Sequence, residues 1–215
     1  MRIGLFGGTF NPIHHGHLRA AEEVREVLGL DLVYFIPAAA PPHKPSAQLA
    51  PADHRLRMVQ AATKGNRHFM VSDSEVRRSG RSYTIDTVRY FIANTRPPAT
   101  VFLMMGSDAF AELEGWKDCD EIVRLCHLAV HSRDQLATQG QPAIVAALRR
   151  FGYRKSEDRY LHSGGQTLTF VSTTFLPISA STIRAGLQAQ KSVRYLLPND
   201  VLDYIQRHSL YSGVE

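Results

Sequence analysis

Short apolar runs that end at glycine or proline alternate with stretches of helical periodicity along most of the chain. Three of these runs are Ile3–Phe6, Leu32–Ile36 and Val101–Met105. Unbroken apolar runs are typical of strands buried on both faces, and strands separated by helices form parallel sheets. The sequence therefore predicts an α/β fold with a doubly wound, mostly parallel sheet. Such sheets bind ligands beyond the carboxyl ends of their strands.

The helical stretches complete this pattern and define the predicted domain. Their apolar positions are Leu18, Ala21 and Val24, then Leu56, Val59 and Ala62, then Ile85, Val88 and Ile92. Two further helices are expected near 181–189 and 198–207. We predict one domain over residues 1–215, in which 178–215 form a small C-terminal helical subregion. Residues 134–165 have the weakest pattern and are interpreted as a candidate surface elaboration.

Composition narrows the class of protein. The 215 residues carry 25 Lys and Arg against 20 Asp and Glu, a net charge of +5 that suits a protein holding anions. These cations are scattered, so nucleic acid is not an expected partner, although an RNA-binding protein stays open as an alternative. No segment approaches the roughly 20 apolar residues of a membrane helix, and the first apolar run is too short for a signal peptide. We expect a cytoplasmic protein without membrane contact and leave a homo-oligomer open.

The two cysteines indicate whether the chain contains a disulfide or a redox motif. Cys119 and Cys126 are seven residues apart, a spacing that matches no zinc or redox motif. Because thiols stay reduced in the cytosol, we predict that both are buried core residues and form no disulfide.

The strongest functional signal follows the first strand, where the segment reads GGTFNPIHHGH from Gly7 to His17. Gly7 and Gly8 allow a ligand to approach the backbone closely, and the free N–H groups at a helix start attract anions. His14 and His17 are three residues apart, which at a helix start can aim both imidazoles at one phosphate. A zinc site that includes His15 is an alternative, but no acidic or Cys partner lies at ligand spacing.

A second segment with phosphate-binding character is ISASTIR, from Ile178 to Arg184. Ser179 and Ser181 are natural helix caps, and hydroxyl and N–H groups at a helix start can bind phosphate. The guanidinium of Arg184 offers a planar fork of donors to phosphate oxygens. Taken alone, the segment is better explained by a capped helix with a surface arginine.

Together the two segments resemble the His-x-Gly-His and Ile-Ser-x-x-x-Ile-Arg signatures of the nucleotidyltransferase superfamily, whose fold is Rossmann-like. The resemblance implies a catalytic set of His14, His17 and Arg184. It also implies an ATP site composed of Gly7, Gly8, Thr9, Phe10, His17, Gly106, Asp108, Ile178, Ser179, Ser181 and Arg184. The motif has Asn11 where many members carry Asp.

Four segments between these motifs carry further candidate residues: Pro41–Lys44, Ser82–Thr87, Met105–Asp108 and the single tryptophan, Trp116. Judged by residue type, the default role of Thr84 and Asp108 is a helix cap, that of Trp116 is core packing and that of Lys44 is a solvated charge. In this order and spacing, however, the segments resemble bacterial nicotinate-nucleotide adenylyltransferases from Met1 to about Tyr211.

That resemblance implies an acceptor and a reaction. ATP and nicotinate mononucleotide would be the substrates, with Mg²⁺ carried by ATP and no metal site made of protein ligands alone. Trp116 would stack on the pyridine ring, Thr84 and N–H groups near Trp116 and Lys117 would bind its carboxylate, and His43 and Lys44 would lie near the phosphates. Nicotinamide mononucleotide, another phosphate acceptor and a non-catalytic nucleotide binder are the alternatives. Arg133 lies where many members carry Arg-Pro-Gly, so its role stays open.

Overall fold

The computed structural model describes residues 1–41, 49–95, 98–132 and 134–212, with the side chain of Gln135 excepted. His43, Lys44 and Arg133 therefore lie outside the described residues. The strands are β1 (Arg2–Gly8), β2 (Leu32–Pro37), β3 (Phe69–Val71), β4 (Thr100–Gly106), β5 (His127–Ser132), β6 (Arg154–Ser156), β7 (Arg159–Leu161) and β8 (Thr167–Ser172). The helices are α1 (His15–Leu28), α2 (Ala52–Thr63), α3 (Thr84–Asn94), α4 (Ser107–Ala111), α5 (Cys119–Leu125), α6 (Gln135–Gln139), α7 (Pro142–Arg150), α8 (Ala180–Gln188) and α9 (Asn199–Arg207).

The strands form one sheet in the order β3-β2-β1-β4-β5-β8-β7-β6. The pairs β1–β4, β4–β5 and β5–β8 are parallel, which confirms the predicted α/β class and mostly parallel sheet. The order reverses between β1 and β4, so the carboxyl ends of these two strands mark the switch point where such sheets bind ligands. Both strands lead directly into segments that the sequence assigned to ATP.

The weakly patterned region 134–165 contains more regular structure than its sequence indicated. It forms α6, α7 and the antiparallel strands β6 and β7, which extend the sheet beyond β8. β6 and β7 have three residues each and are mostly exposed, so they lack the apolar run by which the other strands are recognised.

Contacts divide the chain into two compact units, each assembled from separate segments. Unit 1 comprises Met1–Gly7, Ala20–Tyr34 and Tyr83–Phe175, and unit 2 comprises Gly8–Arg19, Phe35–Ser82 and Leu176–Glu215. Unit 1 buries apolar side chains of its strands, among them Ile3, Leu103, Leu128, Val130 and Phe170. Unit 2 buries Phe35, Met58, Val59, Ile183 and Val201. The single domain over residues 1–215 stays a prediction.

The buried face of α2 differs from the predicted one. Arg55, Met58 and Val59 are buried, together with Thr63, whereas Leu56 and Ala62 are only half-buried. The predicted face was displaced around the helix axis, because a charged residue was not expected in the core. Arg55 is the side chain that the structure buries most unexpectedly, with 1% of its surface exposed.

Smaller differences concern other element faces and ends. In α3 the buried stripe continues from Ile85 and Val88 to Phe91, and Ile92 is exposed. Gly29, just after α1, has a φ of 56°, a left-handed backbone that glycine adopts readily at the end of a helix. Both cysteines are free and buried, as expected. None of the helices in the described ranges has the length and apolarity that a membrane crossing requires.

Candidate active site

The segment after β1 brings the predicted histidine pair together in unit 2. The rings of His14 and His17 stack with centroids 3.7 Å apart and an interplanar angle of 26°. α1 begins between them, because the backbone N–H groups of His17 and Leu18 both donate to the His14 carbonyl. Phe10 packs edge-on against the His17 ring at 5.1 Å. The two imidazoles thus point from one helix start, as the spacing predicted.

Their hydrogen bonds indicate how each ring can act on a phosphate. The His14 N–H donates to Nδ1 of His17 over 3.3 Å, so in neutral His17 the proton lies on Nε2, which can donate to an oxygen. Nδ1 of His14 is buried and has no hydrogen-bond partner among the described residues. A buried polar atom without a partner is costly, so a ligand oxygen is the natural complement of this nitrogen.

Burial also fixes the charge of His14. Desolvation, and secondarily the positive charge of His15, lowers the pKa of His14 to about 4. Without ligand, His14 is therefore neutral at pH 7 and acts by hydrogen bonding rather than by charge. This charge state follows from burial, since only 6% of His14 is exposed.

The three glycines of the motif differ in what an added side chain would meet. An ideal Cβ on Gly16 would lie 3.1 Å from two atoms of the His14 ring, so only glycine leaves that ring undisturbed. A Cβ on Gly8 would lie 2.9 Å from the Phe10 ring, so Gly8 makes room for a side chain of the motif itself rather than for a ligand. A Cβ on Gly7 would meet nothing within 4 Å, which agrees with an open approach to the backbone there.

The second motif meets the first at the turn Thr9–Asn11. Ser179 caps α8 by accepting from the Thr182 N–H at 3.1 Å, which confirms its capping role, and its hydroxyl lies 2.9 Å from that of Ser181. Nη1 of Arg184 donates to the Asn11 carbonyl over 2.8 Å, and among the described residues no other acceptor engages this guanidinium. His17, Arg184 and the cap of α8 thus belong to the same unit, and His17 and Arg184 both contact one turn.

A cavity of about 570 Å³ opens beside Arg184. Its lining includes Leu49, Pro51, Ser181, Gln188 and Tyr211. This volume is in the range of small-molecule sites. It lies within unit 2 and is bordered by the exposed Ser181 and the half-buried Arg184.

Sequence reasoning missed Arg55, whose buried side chain supports the backbone next to this site. Its guanidinium donates to the carbonyls of Thr9, Ala38, Ala39 and Ala50 over 2.5–2.9 Å. Desolvation lowers its pKa from the ordinary arginine value, yet four carbonyl acceptors keep the charge satisfied. The detectable signal was an arginine on the apolar stripe of a helix that otherwise carries Met58 and Val59.

The predicted acceptor residues Thr84, Trp116 and Lys117 all lie in unit 1. Thr84 is the first residue of α3, but its cap residue is Tyr83, so the default capping role for Thr84 is wrong. Trp116 ends a short 3₁₀ turn over Leu113–Gly115 and is half-buried rather than part of the core, so part of its indole is accessible.

The neighbourhood of Lys117 is strongly charged. Its ammonium lies 4.7 Å from the centre of the Tyr83 ring and 3.8 Å from the Asp86 carboxylate. Arg89 of α3 binds Glu121 of α5 through two hydrogen bonds and reaches Asp118 at 3.4 Å. The hydrogen bond from Arg89 lowers the pKa of Glu121. These contacts tie the start of α3 to the turn that carries Trp116 and Lys117.

Gly106 and Asp108, which the sequence assigned to ATP, also belong to unit 1. Gly106 ends β4 and is itself the cap residue of α4, so Asp108 does not cap that helix. Gly106 pairs with His131 across the sheet, and a Cβ on Gly106 would lie 3.8 Å from that ring. Burial lowers the pKa of His131, which therefore places a neutral imidazole next to the carboxyl end of β4.

The described residues contain no group of three His, Cys, Asp or Glu that could hold a metal ion. This leaves the alternative of a zinc site at His14, His15 and His17 without support. The donors in and around this turn are imidazoles, hydroxyls and a guanidinium, a set that suits phosphate oxygens.

Comparisons with known proteins identify the family of this chain. Residues 5–186 match the family model described as cytidylyltransferase-like. A Geobacter metallireducens protein named "probable nicotinate-nucleotide adenylyltransferase" is 42% identical over 214 residues, which is 99% of either chain. A protein of the same name from Geotalea uraniireducens is also 42% identical over 99% of each chain.

Solved structures show the same fold. Plasmodium falciparum nicotinic acid mononucleotide adenylyltransferase complexed with NaAD aligns with a TM-score of 0.72 over 98% of this chain and 97% of that chain. The identity of 17% makes this a likeness of fold. A second structure of that enzyme, complexed with APC, gives a TM-score of 0.67. From the full-length identity and the family match, this chain belongs to the cytidylyltransferase-like family and, within it, to the nicotinate-nucleotide adenylyltransferases.

Proposed function

We propose that the protein transfers the AMP part of ATP to nicotinate mononucleotide, forming nicotinate adenine dinucleotide and pyrophosphate in NAD biosynthesis. The observation that carries this proposal is that His17 and Arg184 both contact the turn Thr9–Asn11, with the His14 ring stacked on His17. The names of the full-length relatives supply the acceptor. The reaction needs two anions aligned and their charge neutralised, and this set of donors is suited to that task.

The chemical step is an in-line displacement at the α-phosphorus of ATP. A phosphate oxygen of nicotinate mononucleotide forms the new P–O bond, and the bond from the α-phosphorus to the bridging oxygen breaks as pyrophosphate leaves with its electron pair. The acceptor phosphate is already a nucleophile, so no covalent intermediate and no general base is required. Alignment of the two substrates can lower the barrier by up to about 7–11 kcal/mol.

The residues of unit 2 take distinct parts in this step. Nδ1 of His14 and Nε2 of His17 donate to non-bridging oxygens of the α-phosphate, where negative charge builds up. Arg184 holds the leaving β- and γ-phosphates. Ser179, Ser181 and Ile178 at the start of α8 and residues 8–10 of the first motif bind ATP. The ATP roles of Gly7, Gly106 and Asp108 rest on the family resemblance alone. Preset donors of this kind are each worth roughly a hundredfold or more in turnover.

The acceptor would be recognised by unit 1. Trp116 stacks on the pyridine ring, while Thr84 and N–H groups at Trp116 and Lys117 bind the carboxylate. Donors fit a carboxylate better than a carboxamide, because the amide NH₂ group would face them unpaired. We also propose that His43 and Lys44 contact the substrate phosphates.

Magnesium belongs to the substrate in this proposal. The imidazole, hydroxyl and guanidinium donors at the turn fit phosphate oxygens rather than a hard cation, so Mg²⁺ would be held mainly by the triphosphate. When bound, it neutralises charge on the phosphate oxygens. We further propose a cytoplasmic setting, ATP and nicotinate mononucleotide as the partners, and no role for nucleic acid.

A paired assay tests the proposal. Purified protein is given ATP and Mg²⁺ with either nicotinate mononucleotide or nicotinamide mononucleotide, and pyrophosphate release is followed. We expect release only when an acceptor is present, with a kcat/KM at least tenfold higher for the nicotinate form, as loss of a buried pairing predicts.

Each other outcome has a definite meaning. Equal rates with both acceptors would show that the proposed carboxylate contacts are wrong, whereas the proposed adenylyl transfer would stand. No acceptor-dependent pyrophosphate, together with ordinary ATP binding, would favour the non-catalytic nucleotide binder and refute the proposed reaction.

A further inference from the structure

The hydroxyl of Tyr211 reaches the same turn that receives Arg184. After α9 the chain passes through Ser209 and Tyr211, whose φ angles are 48° and 62°. Residues other than glycine seldom adopt this left-handed backbone conformation, so tertiary contacts must hold it. One such contact is visible, since the Tyr211 hydroxyl donates to Oδ1 of Asn11 over 2.7 Å.

Asn11 connects this hydroxyl to Arg184. Its side-chain Oδ1 accepts from Tyr211 and from the Ala50 N–H at 3.1 Å, and its main-chain carbonyl accepts from Nη1 of Arg184 at 2.8 Å. Only 4% of Asn11 is exposed. Because one short residue carries the side-chain anchors and the arginine contact together, the direction of its carbonyl depends on how its amide is held.

We infer that Tyr211 is a positioning residue, whose hydroxyl holds Asn11 in the orientation that fixes the guanidinium of Arg184 beside the cavity. The inference rests on the proposed function only in assigning Arg184 to the leaving phosphates of ATP. The arginine side chain is long and has several rotatable bonds. When its guanidinium is already held in place, less conformational entropy is lost in reaching the transition state.

The state of the phenol supports this role. Burial raises the pKa of Tyr211 above its usual range, even though the nearby guanidiniums of Arg184 and Arg55 act to lower it. The hydroxyl is therefore a neutral donor at every pH at which the reaction would be assayed. Tyr211 also lines the cavity, so a test must separate an effect through Arg184 from a direct contact with ATP.

The chain offers a matched control for removal of this hydroxyl. Tyr204 of α9 also belongs to unit 2, and its hydroxyl lies 2.9 Å from Nδ1 of His54 on α2 rather than on the turn. We compare Tyr211→Phe with Tyr204→Phe in turnover and in equilibrium titration with a non-hydrolysable ATP analogue. Tyr211→Phe loses one buried hydrogen bond, so we expect its kcat to fall roughly three- to tenfold and its Kd for the analogue to rise by a similar factor. Tyr204→Phe should change neither value.

A double-mutant cycle then locates the effect. In an Arg184→Ala background the guanidinium is gone, so Tyr211→Phe should change neither kcat nor analogue affinity by more than about twofold. The KM for nicotinate mononucleotide should stay unchanged throughout, because the acceptor is assigned elsewhere. A purely structural tyrosine would instead lower the thermal midpoint of both backgrounds equally and show no coupling with Arg184.

Two results would overturn the inference. One is equal behaviour of Tyr211→Phe and Tyr204→Phe, and the other is an undiminished Tyr211→Phe effect without Arg184, which would indicate direct contact with ATP. The titration arm does not need turnover, so it decides the matter even if the proposed function fails. Failure of the function itself would appear in the wild-type protein, as absence of acceptor-dependent pyrophosphate.

Discussion

At the residue scale, the two stacked imidazoles at the start of α1 differ in their surroundings. His14 is almost completely buried, with Nδ1 left for a ligand, whereas His17 is half-buried and packed against Phe10. Adjacent donors of this kind stabilise charge that develops on a transferring phosphoryl group. The stacking of the rings means that a change to one is felt by the other.

We predict that His17→Ala lowers kcat about a hundredfold or more, because it removes a donor to the α-phosphate. The KM for nicotinate mononucleotide should change little, and circular dichroism should report an intact fold. The neighbouring His15→Ala is the control, since His15 is anchored by its backbone N–H to the Leu196 carbonyl and lies outside the stacked pair. Wild-type turnover in His17→Ala would remove that residue from the mechanism.

A second prediction concerns pH and His14. Its pKa is about 4 in the folded protein and near 6.5 when unfolded, so between these values the unfolded chain binds more protons. Stability contributed by neutral His14 is therefore present above pH 6.5 and is lost as the pH falls toward 4. The free energy of unfolding should fall by about 2–3 kcal/mol more in the wild type than in His14→Gln between pH 7.5 and 4.5.

Chemical denaturation at the two pH values measures this difference directly. The comparison with His14→Gln is needed because the half-buried His127 and His131 also have lowered pKa values and act in the same direction. His208→Gln, an exposed histidine of unit 2, should retain the full wild-type pH dependence. Identical pH slopes for wild type and His14→Gln would show that His14 is not buried in its neutral form.

At the scale of elements, helices fix the candidate acceptor residues through charge. Arg89 of α3 pairs with Glu121 of α5 and with Asp118 before it, and it thereby links the segment of Thr84 to the turn of Trp116. These groups are all partly exposed, so solvent screens the interaction. Its value lies in the alignment of two segments rather than in stability.

We therefore expect Arg89→Ala to raise the KM for nicotinate mononucleotide about two- to fivefold, with an unchanged KM for ATP and nearly unchanged thermal midpoint. Glu121→Gln should reproduce the effect, and combining the two should add little. Arg159→Ala, which breaks an exposed pair with Asp158 in the same unit, should leave both KM values alone. A rise in the KM for ATP of equal size would contradict the separation of roles.

At the scale of the whole molecule, the open question is whether the two compact units unfold together. The chain crosses between them several times, and β2 and α1 each contribute residues to both. Shared elements favour a single cooperative transition. Cys126 reports on unit 1, because it is 1% exposed and burial raises the pKa of its thiol to about 12.

In a Cys119→Ser background, labelling of Cys126 by a thiol reagent should require unfolding of unit 1. ATP bound to unit 2 at a hundredfold excess over its Kd stabilises the folded state by about 2.7 kcal/mol. If unfolding is cooperative, labelling should slow by about a hundredfold. A labelling rate that ATP leaves unchanged would show separate unfolding and make the prediction of one domain wrong.

Much of the fold was predictable because its signals are local. Apolar runs such as Val101–Met105 identify buried strands, and Gly29 identifies the end of α1 through a backbone angle that only neighbouring atoms determine. The face of α2 was mispredicted because a buried arginine can only be recognised together with its acceptors. Strands β6 and β7 were missed because three exposed residues carry no period.

The sequence by itself determined the family, the order of elements and the residue types of the phosphate-binding motifs, since these follow from contiguous or regularly spaced residues. Only the tertiary structure decided that His14 is neutral, that Arg55 clasps four carbonyls and that Tyr211 meets Arg184 through Asn11. Burial and hydrogen-bond partners come from residues up to 200 positions apart in the chain. Their energies depend on distance in space, which no local pattern of residues contains.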